Sequence, residues 1–149
     1  MMSTSNSLPE QEDQMKHDEF IGQVQHRARL SSRGAAERAT RATLETLAER
    51  LAGGEAKDLA AQLPPEIGEH LRGEWSAMGD RFSLGEFFRR VGLREGVDLP
   101  EAVFHARAVI EVLSEAVSKG EMDDVRAQLP AEFARLFEAG STGQMPAAE

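Results

Sequence analysis

The 149-residue chain contains no cysteine, which excludes disulfides, thiol catalysis and cysteine-ligated metals. It contains no tyrosine and a single tryptophan, and aromatics make up only 5% of it, so a core must be built mainly from Ala, Leu and Val. No apolar run approaches the ~20 residues that span a bilayer. The opening stretch MMSTSNSLPEQEDQ lacks the apolar segment of a secretory signal. A soluble cytoplasmic protein without a membrane partner is expected. No HExxH, GxSxG or glycine-rich phosphate loop occurs. No residue is therefore nominated as catalytic or cofactor-binding, no cofactor is expected, and the reading leans against an enzyme.

What is present is helix-forming. Hydrophobic residues reach 40%, Ala, Glu, Arg and Leu dominate, and no alternating strand pattern is found. The net charge is −9, unevenly spread. Residues 1–15 carry three acids and no base, residues 16–72 nine of each, and residues 73–149 eight bases and 14 acids. Such a chain repels phosphate backbones, which disfavours nucleic acid as a partner.

The punctuation is clearest in the second half. Ser83 with Glu86, and Asp98 with Glu101, fit capping boxes. The first predicts a helix to about Glu95, stopped by Gly96. The second predicts a central helix with Val103, Ala106, Val109, Ile110, Leu113 and Val117 at helical spacing, ending at Lys119-Gly120. A short helix to about Gln128 and one opened by Pro130 follow. The first half repeats the order: a helix over 18–30, one capped by Ser31-Ser32 and stopped by Gly53-Gly54, a short one to Gln62, and one opened by Pro64-Pro65.

The two halves also share residues. At an offset of 66, positions 41–71 match positions 107–137 at 13 of 31 places, including AQLPPE (61–66) and AQLPAE (127–132). At an offset of 67, Glu19, Phe20 and Val24 align with Glu86, Phe87 and Val91. The expected fold is all-α: two tandem four-helix repeats packed into one pseudo-twofold domain. Its parts are a disordered tail (1–15), repeat 1 (16–72), a connector (73–82), repeat 2 (83–138) and a second disordered tail (139–149).

The stretches MKHDEFIGQVQHRA, AERATRATLETLAERLAGGEAKDLAAQLP and LPEAVFHARAVIEVLSEAVSKGEMDDVRAQLP resemble the prokaryotic family termed domain of unknown function 2267, over roughly residues 15–138. The resemblance implies an all-helical, internally duplicated bacterial or archaeal protein with no established activity. It brings no catalytic residue to carry over.

Three sets of residues are candidates for chemistry. In GEAKDLAAQLPPE and GEMDDVRAQLPAE the acids fall in the first turn of a helix and complement its positive end, so the motif reads chiefly as structural punctuation. Arg41, Glu45 and Glu49, like Arg107, Glu111 and Glu115, lie four apart on one helical face. Facing helices would bring four carboxylates together on a metal or small ligand, although the Glu-x-x-His of di-iron bundles is absent. The bland alternative is a solvated face of Arg–Glu pairs. A basic run, Arg27, Arg29, Arg33, Arg38 and Arg41, lacks interleaved aromatics and suits an acidic partner as well as nucleic acid. The leading expectation is a non-enzymatic interaction or scaffold module for an unknown protein partner or for self-association. Trp75 and Met78 of the connector, with Arg41 and Arg107, are its candidate interaction residues. The alternative is a metal or small-ligand protein using Glu45, Glu49, Glu111 and Glu115 between the two central helices.

Overall fold

The computed structural model describes residues 15–74, 76 and 78–138. The tails expected at 1–15 and 139–149 lie outside the described residues, Met15 excepted, and so does Trp75. The described residues form eight α-helices and no strand. They are α1 (His17–Arg27), α2 (Arg33–Arg50), α3 (Glu55–Ala60), α4 (Pro65–Gly68), α5 (Leu84–Glu95), α6 (Leu99–Ala116), α7 (Lys119–Ala127) and α8 (Ala134–Phe137). Single 3-10 turns, Glu69–Leu71 and Ala131–Phe133, follow α4 and precede α8.

Local chemistry sets most of the boundaries. Side-chain oxygens of Ser32, Ser83, Asp98 and Ser118 each accept from a main-chain N–H three residues on, at 3.1 Å. Such caps are worth ~1 kcal/mol each. Gly96, at φ 82°, closes α5 in the left-handed conformation that glycine tolerates best. Some boundaries differ from the sequence expectation: α1 ends at Arg27 rather than at residue 30, and α2 at Arg50, ahead of Gly53-Gly54. Lys119-Gly120 does not end α6; the helix stops at Ala116, Val117 is extended, and Lys119 begins α7. Ser118 is the better cap, and an extended Val117 puts a β-branched side chain into the core at 9% exposure.

The 18-residue helices α2 and α6 touch each other, and α1 and α5 each lie against both of them. Buried Ala36, Ala39, Ala42 and Ala48 on α2, and Ala102 and Ala106 on α6, leave room for close approach. Leu44, Leu47, Ile110 and Leu113 are fully buried, each contributing about 1.5–3 kcal/mol. Phe87 meets Phe88 and Phe133 edge-on, with centroids 5.9 Å apart. The short helices α3 and α7 touch each other, and α8 rests on α6.

The connector is laid along the end of α2. The Gly79 and Asp80 N–H groups donate to the Leu51 and Glu49 carbonyls at 3.0 and 3.1 Å, and Arg50 Nε donates to the Phe82 carbonyl at 3.0 Å. Gly79 has φ 62°, and a Cβ there would lie 3.1 Å from that of Ala52, so the close approach also calls for glycine. Among the described residues no helix is long and apolar enough to cross a membrane.

Candidate functional site

The four carboxylates of the central helices are taken up by arginines in three separate groups. Arg41 Nε donates to Glu45 at 3.0 Å, within one helix. Arg90 and Arg94 of α5 both donate to Glu49 at 2.8 Å. Arg27 of α1 binds Glu115 through two nitrogens, at 2.9 and 2.8 Å, and lies 3.4 Å from Glu111. The Glu115 hydrogen bond is the main cause that raises the Arg27 pKa. Among the described residues, the acids that do gather as a group of three are Glu55, Glu121 and Asp124. Arg107 forms no ion pair among the described residues, and its Nε is buried without a partner.

These pairs cross between the halves of the chain. Arg27 of α1 reaches α6, and Arg94, 67 positions later on α5, reaches α2. The repeated AQLP stretches cross in the same way. Gln62 Oε1 accepts from the Ser118 N–H at 2.8 Å, just beyond α6. Gln128 Oε1 accepts from the Ala52 N–H at 2.9 Å, just beyond α2. Ala52 and Ser118 are themselves 66 positions apart. Sequence reasoning accounted for the acids and prolines of the motif but not for its glutamines. Their signal was identity at a place where helix capping needs no amide side chain.

Between α3 and α7 the acids of the same motif meet. Glu55 opens α3, Glu121 lies in the first turn of α7, and oxygens of Glu55, Glu121 and Asp124 fall within 4.8 Å of one another. Glu121 is only 7% exposed. The Oε2 atoms of Glu55 and Glu121 are buried without a hydrogen-bond partner. Two ionised carboxylates offer each other no donor; a proton on one makes the other its acceptor. The Glu121 pKa is accordingly pushed up to about 8, first by burial, then by the adjoining Glu55 carboxyl and by the charges of Asp58 and Asp124. Asp58 and Asp124 are again 66 positions apart.

A second feature belongs to the first half alone. A cleft of about 460 Å3 opens among α1, α2 and α4, with His17, Glu37, Arg38, Arg41, Glu66 and His70 around buried Ile21 and Ile67. An adjoining hollow of about 520 Å3 shares His17 and Glu66. Burial is the main cause that lowers the His70 pKa, so its ring is held neutral at pH 7. Arg38 is exposed and makes no ion pair among the described residues. At the matching places of the second half, 67 and then 66 positions later, Arg41 and Glu66 keep their types as Arg107 and Glu132, while the other six become Leu84, Phe88, Val103, Phe104, Phe133 and Leu136. Of these six, all but the partly buried Phe104 belong to the core.

One buried polar pair was not anticipated. Glu95 Oε2 and His105 Nδ1 are 2.5 Å apart, with side chains 3% and 8% exposed, and they tie the end of α5 to α6. On the surface, Met78 is 58% exposed, and Leu93 and Leu99 are 69% and 52% exposed.

No curated protein matches this sequence. The profile of the family described as uncharacterized conserved protein (DUF2267) matches residues 17–136, from the first residue of α1 to the penultimate residue of α8. The chain therefore belongs to the DUF2267 family.

Proposed function

We propose that this protein is a non-enzymatic interaction module built of two tandem four-helix copies, residues 16–72 and 83–138, joined by residues 73–82. In this reading the cleft of the first copy is where a partner docks. The duplication is supported by the parallel order of helices and by the crossed Arg27–Glu115 and Arg94–Glu49 pairs. The crossed Gln62–Ser118 and Gln128–Ala52 bonds support it as well. The observation that carries the functional reading is the cleft, because the places of His17, Glu37, Arg38 and His70 are taken in the second copy by the bulky apolar Leu84, Val103, Phe104 and Leu136, although Arg107 and Glu132 still stand where Arg41 and Glu66 do. A polar depression retained in one copy, with exposed Arg38 and Arg41 at its edge, fits an acidic segment of a protein partner. The surrounding His17, Glu37, Glu66 and His70 offer further hydrogen bonds.

A photo-crosslinking residue at position 38, expressed in native cells, tests the proposal. A discrete adduct is expected whose crosslinked peptide is acidic and which Arg41→Glu reduces at least about tenfold, the effect of losing ~1.4 kcal/mol. An adduct of twice the chain mass would identify the partner as a second copy. Absence of a discrete adduct, or one equally formed from position 89 on α5, would overturn the reading.

A further inference from the structure

We propose that Glu55, Glu121 and Asp124 form a binding site for one hard divalent cation of the calcium, magnesium or manganese class, placed between the starts of α3 and α7. Their oxygens already lie within 4.8 Å of one another. Two buried oxygens, Glu55 Oε2 and Glu121 Oε2, have no protein partner, and Glu121 is more than nine-tenths buried. None of the three acids forms an ion pair with an arginine or lysine among the described residues, unlike the acids of α2 and α6.

An all-oxygen donor set favours hard cations over the metals that prefer histidine or thiolate. The helix starts carry about half a positive charge each, which three carboxylates outweigh by about two charges. A shared proton between Glu55 and Glu121 satisfies one bond and leaves Asp124 unused; a cation can draw on all three. Exposed Asp124 supplies the entry side and room for bound water. The ion would join a helix from each half, next to the Ser118 N–H and Ala52 N–H that Gln62 and Gln128 tie across. Its occupancy is therefore read in stability.

The full chain, freed of metal with EDTA, is titrated separately with CaCl2, MgCl2 and MnCl2 at constant ionic strength, followed by calorimetry and thermal unfolding. At least one ion is expected to bind once per chain and raise the unfolding midpoint. Bound Mn2+ is expected to broaden amide resonances near Ala56 and Met122. Glu121→Gln and Asp124→Asn should each weaken binding about tenfold or more, the lower end of what a supporting group costs a metal site. Asp124 is exposed, so Asp124→Asn keeps the test independent of folding. Arg41→Glu, which breaks the cleft reading, should leave ion binding unchanged. The proposal falls if no ion raises the midpoint beyond an ionic-strength control, or if both variants bind as the parent does. A Glu121→Gln protein that is more stable than an ion-insensitive parent would assign the pair to a shared proton instead.

Discussion

The same places in the two halves of the molecule do opposite things. Around Ile67 the first half sets His17, Glu37, Arg38 and His70 about an open cleft. Around Phe133, 66 positions on, the second half sets Leu84, Val103 and Leu136 in a closed core, with partly buried Phe104 beside them. The long helices correspond in order and nearly in length; the halves differ in these side chains and in the last turns, where a 3-10 turn follows α4 but precedes α8. Both halves contribute to one core, and apolar area in the second half can supply stability that the first half forgoes by keeping polar groups. The comparison teaches where tolerance should lie: the cleft side of α1, α2 and α4 should accept change that its counterpart cannot.

Exchanging residues across the halves gives the largest effect. Leu136 is fully buried, and Leu136→His should cost ~3–5 kcal/mol, from lost apolar burial and an unpaired ring nitrogen. His70→Leu should stay within about 1 kcal/mol of the parent at pH 7. It should also change the response to acid. Burial lowers the His70 pKa, with Arg41 and His17 acting the same way and Glu45 and Glu69 opposing. The unfolded state thus takes up the proton first, and the contribution of His70 is full above about 6.5 and is lost as pH falls below it. Chemical denaturation at pH 7.5 and 5.5 should show a smaller acid loss in His70→Leu. A costly His70→Leu beside a harmless Leu136→His would break the comparison.

The crossed ion pairs are the next place where the halves differ. The Glu49 side chain is 9% exposed and held by Arg90 and Arg94, whereas that of Glu115 is 50% exposed and held by Arg27. Glu49→Ala takes a buried carboxylate from two partly buried guanidinium groups, of which Arg90 keeps Glu86 and Asp80 and Arg94 keeps Thr46, and should cost ~1.5–3 kcal/mol. Glu115→Ala leaves Arg27 with Gln23 and Glu111 and should cost less than ~1 kcal/mol. Urea midpoints of the two variants measure the contrast, and equal losses would refute it.

How much of this was legible follows the range of the interactions. The helices and the caps at Ser83 and Asp98 are local chemistry and were read directly. Ser118 carried the same signal, with Glu121 three residues on, but the neighbouring Gly120 suggested a terminator and hid it. For the central acids, spacing of four found Arg41–Glu45 and nothing more. Glu49, Glu111 and Glu115 meet arginines from other helices, 41 to 88 positions distant where hydrogen-bonded, and no periodicity within one helix reveals those. The acids that do gather, Glu55 and Glu121, stood in the repeated motif. Read one helix at a time, they complemented a dipole; only the contact of α3 with α7 makes them face each other.

The smallest expected effect is the sharpest test of the crossed arrangement. Gln62 and Gln128 each close one hydrogen bond to a backbone N–H just past the long helix of the other half. Both N–H groups belong to exposed residues, so water can replace the lost partner, and Gln62→Ala or Gln128→Ala should cost only about 0.5–1.5 kcal/mol. Hydrogen exchange separates them where stability cannot. Gln62→Ala should speed exchange at Ser118 and leave Ala52 unchanged, and Gln128→Ala should do the reverse. The amides lie 56 and 76 residues from the side chains that protect them, so local fraying around each substitution would produce the opposite pattern. If Gln62→Ala loosened Ala52 instead, each AQLP stretch would act within its own half, and the exchange of contacts between the halves would have to be abandoned.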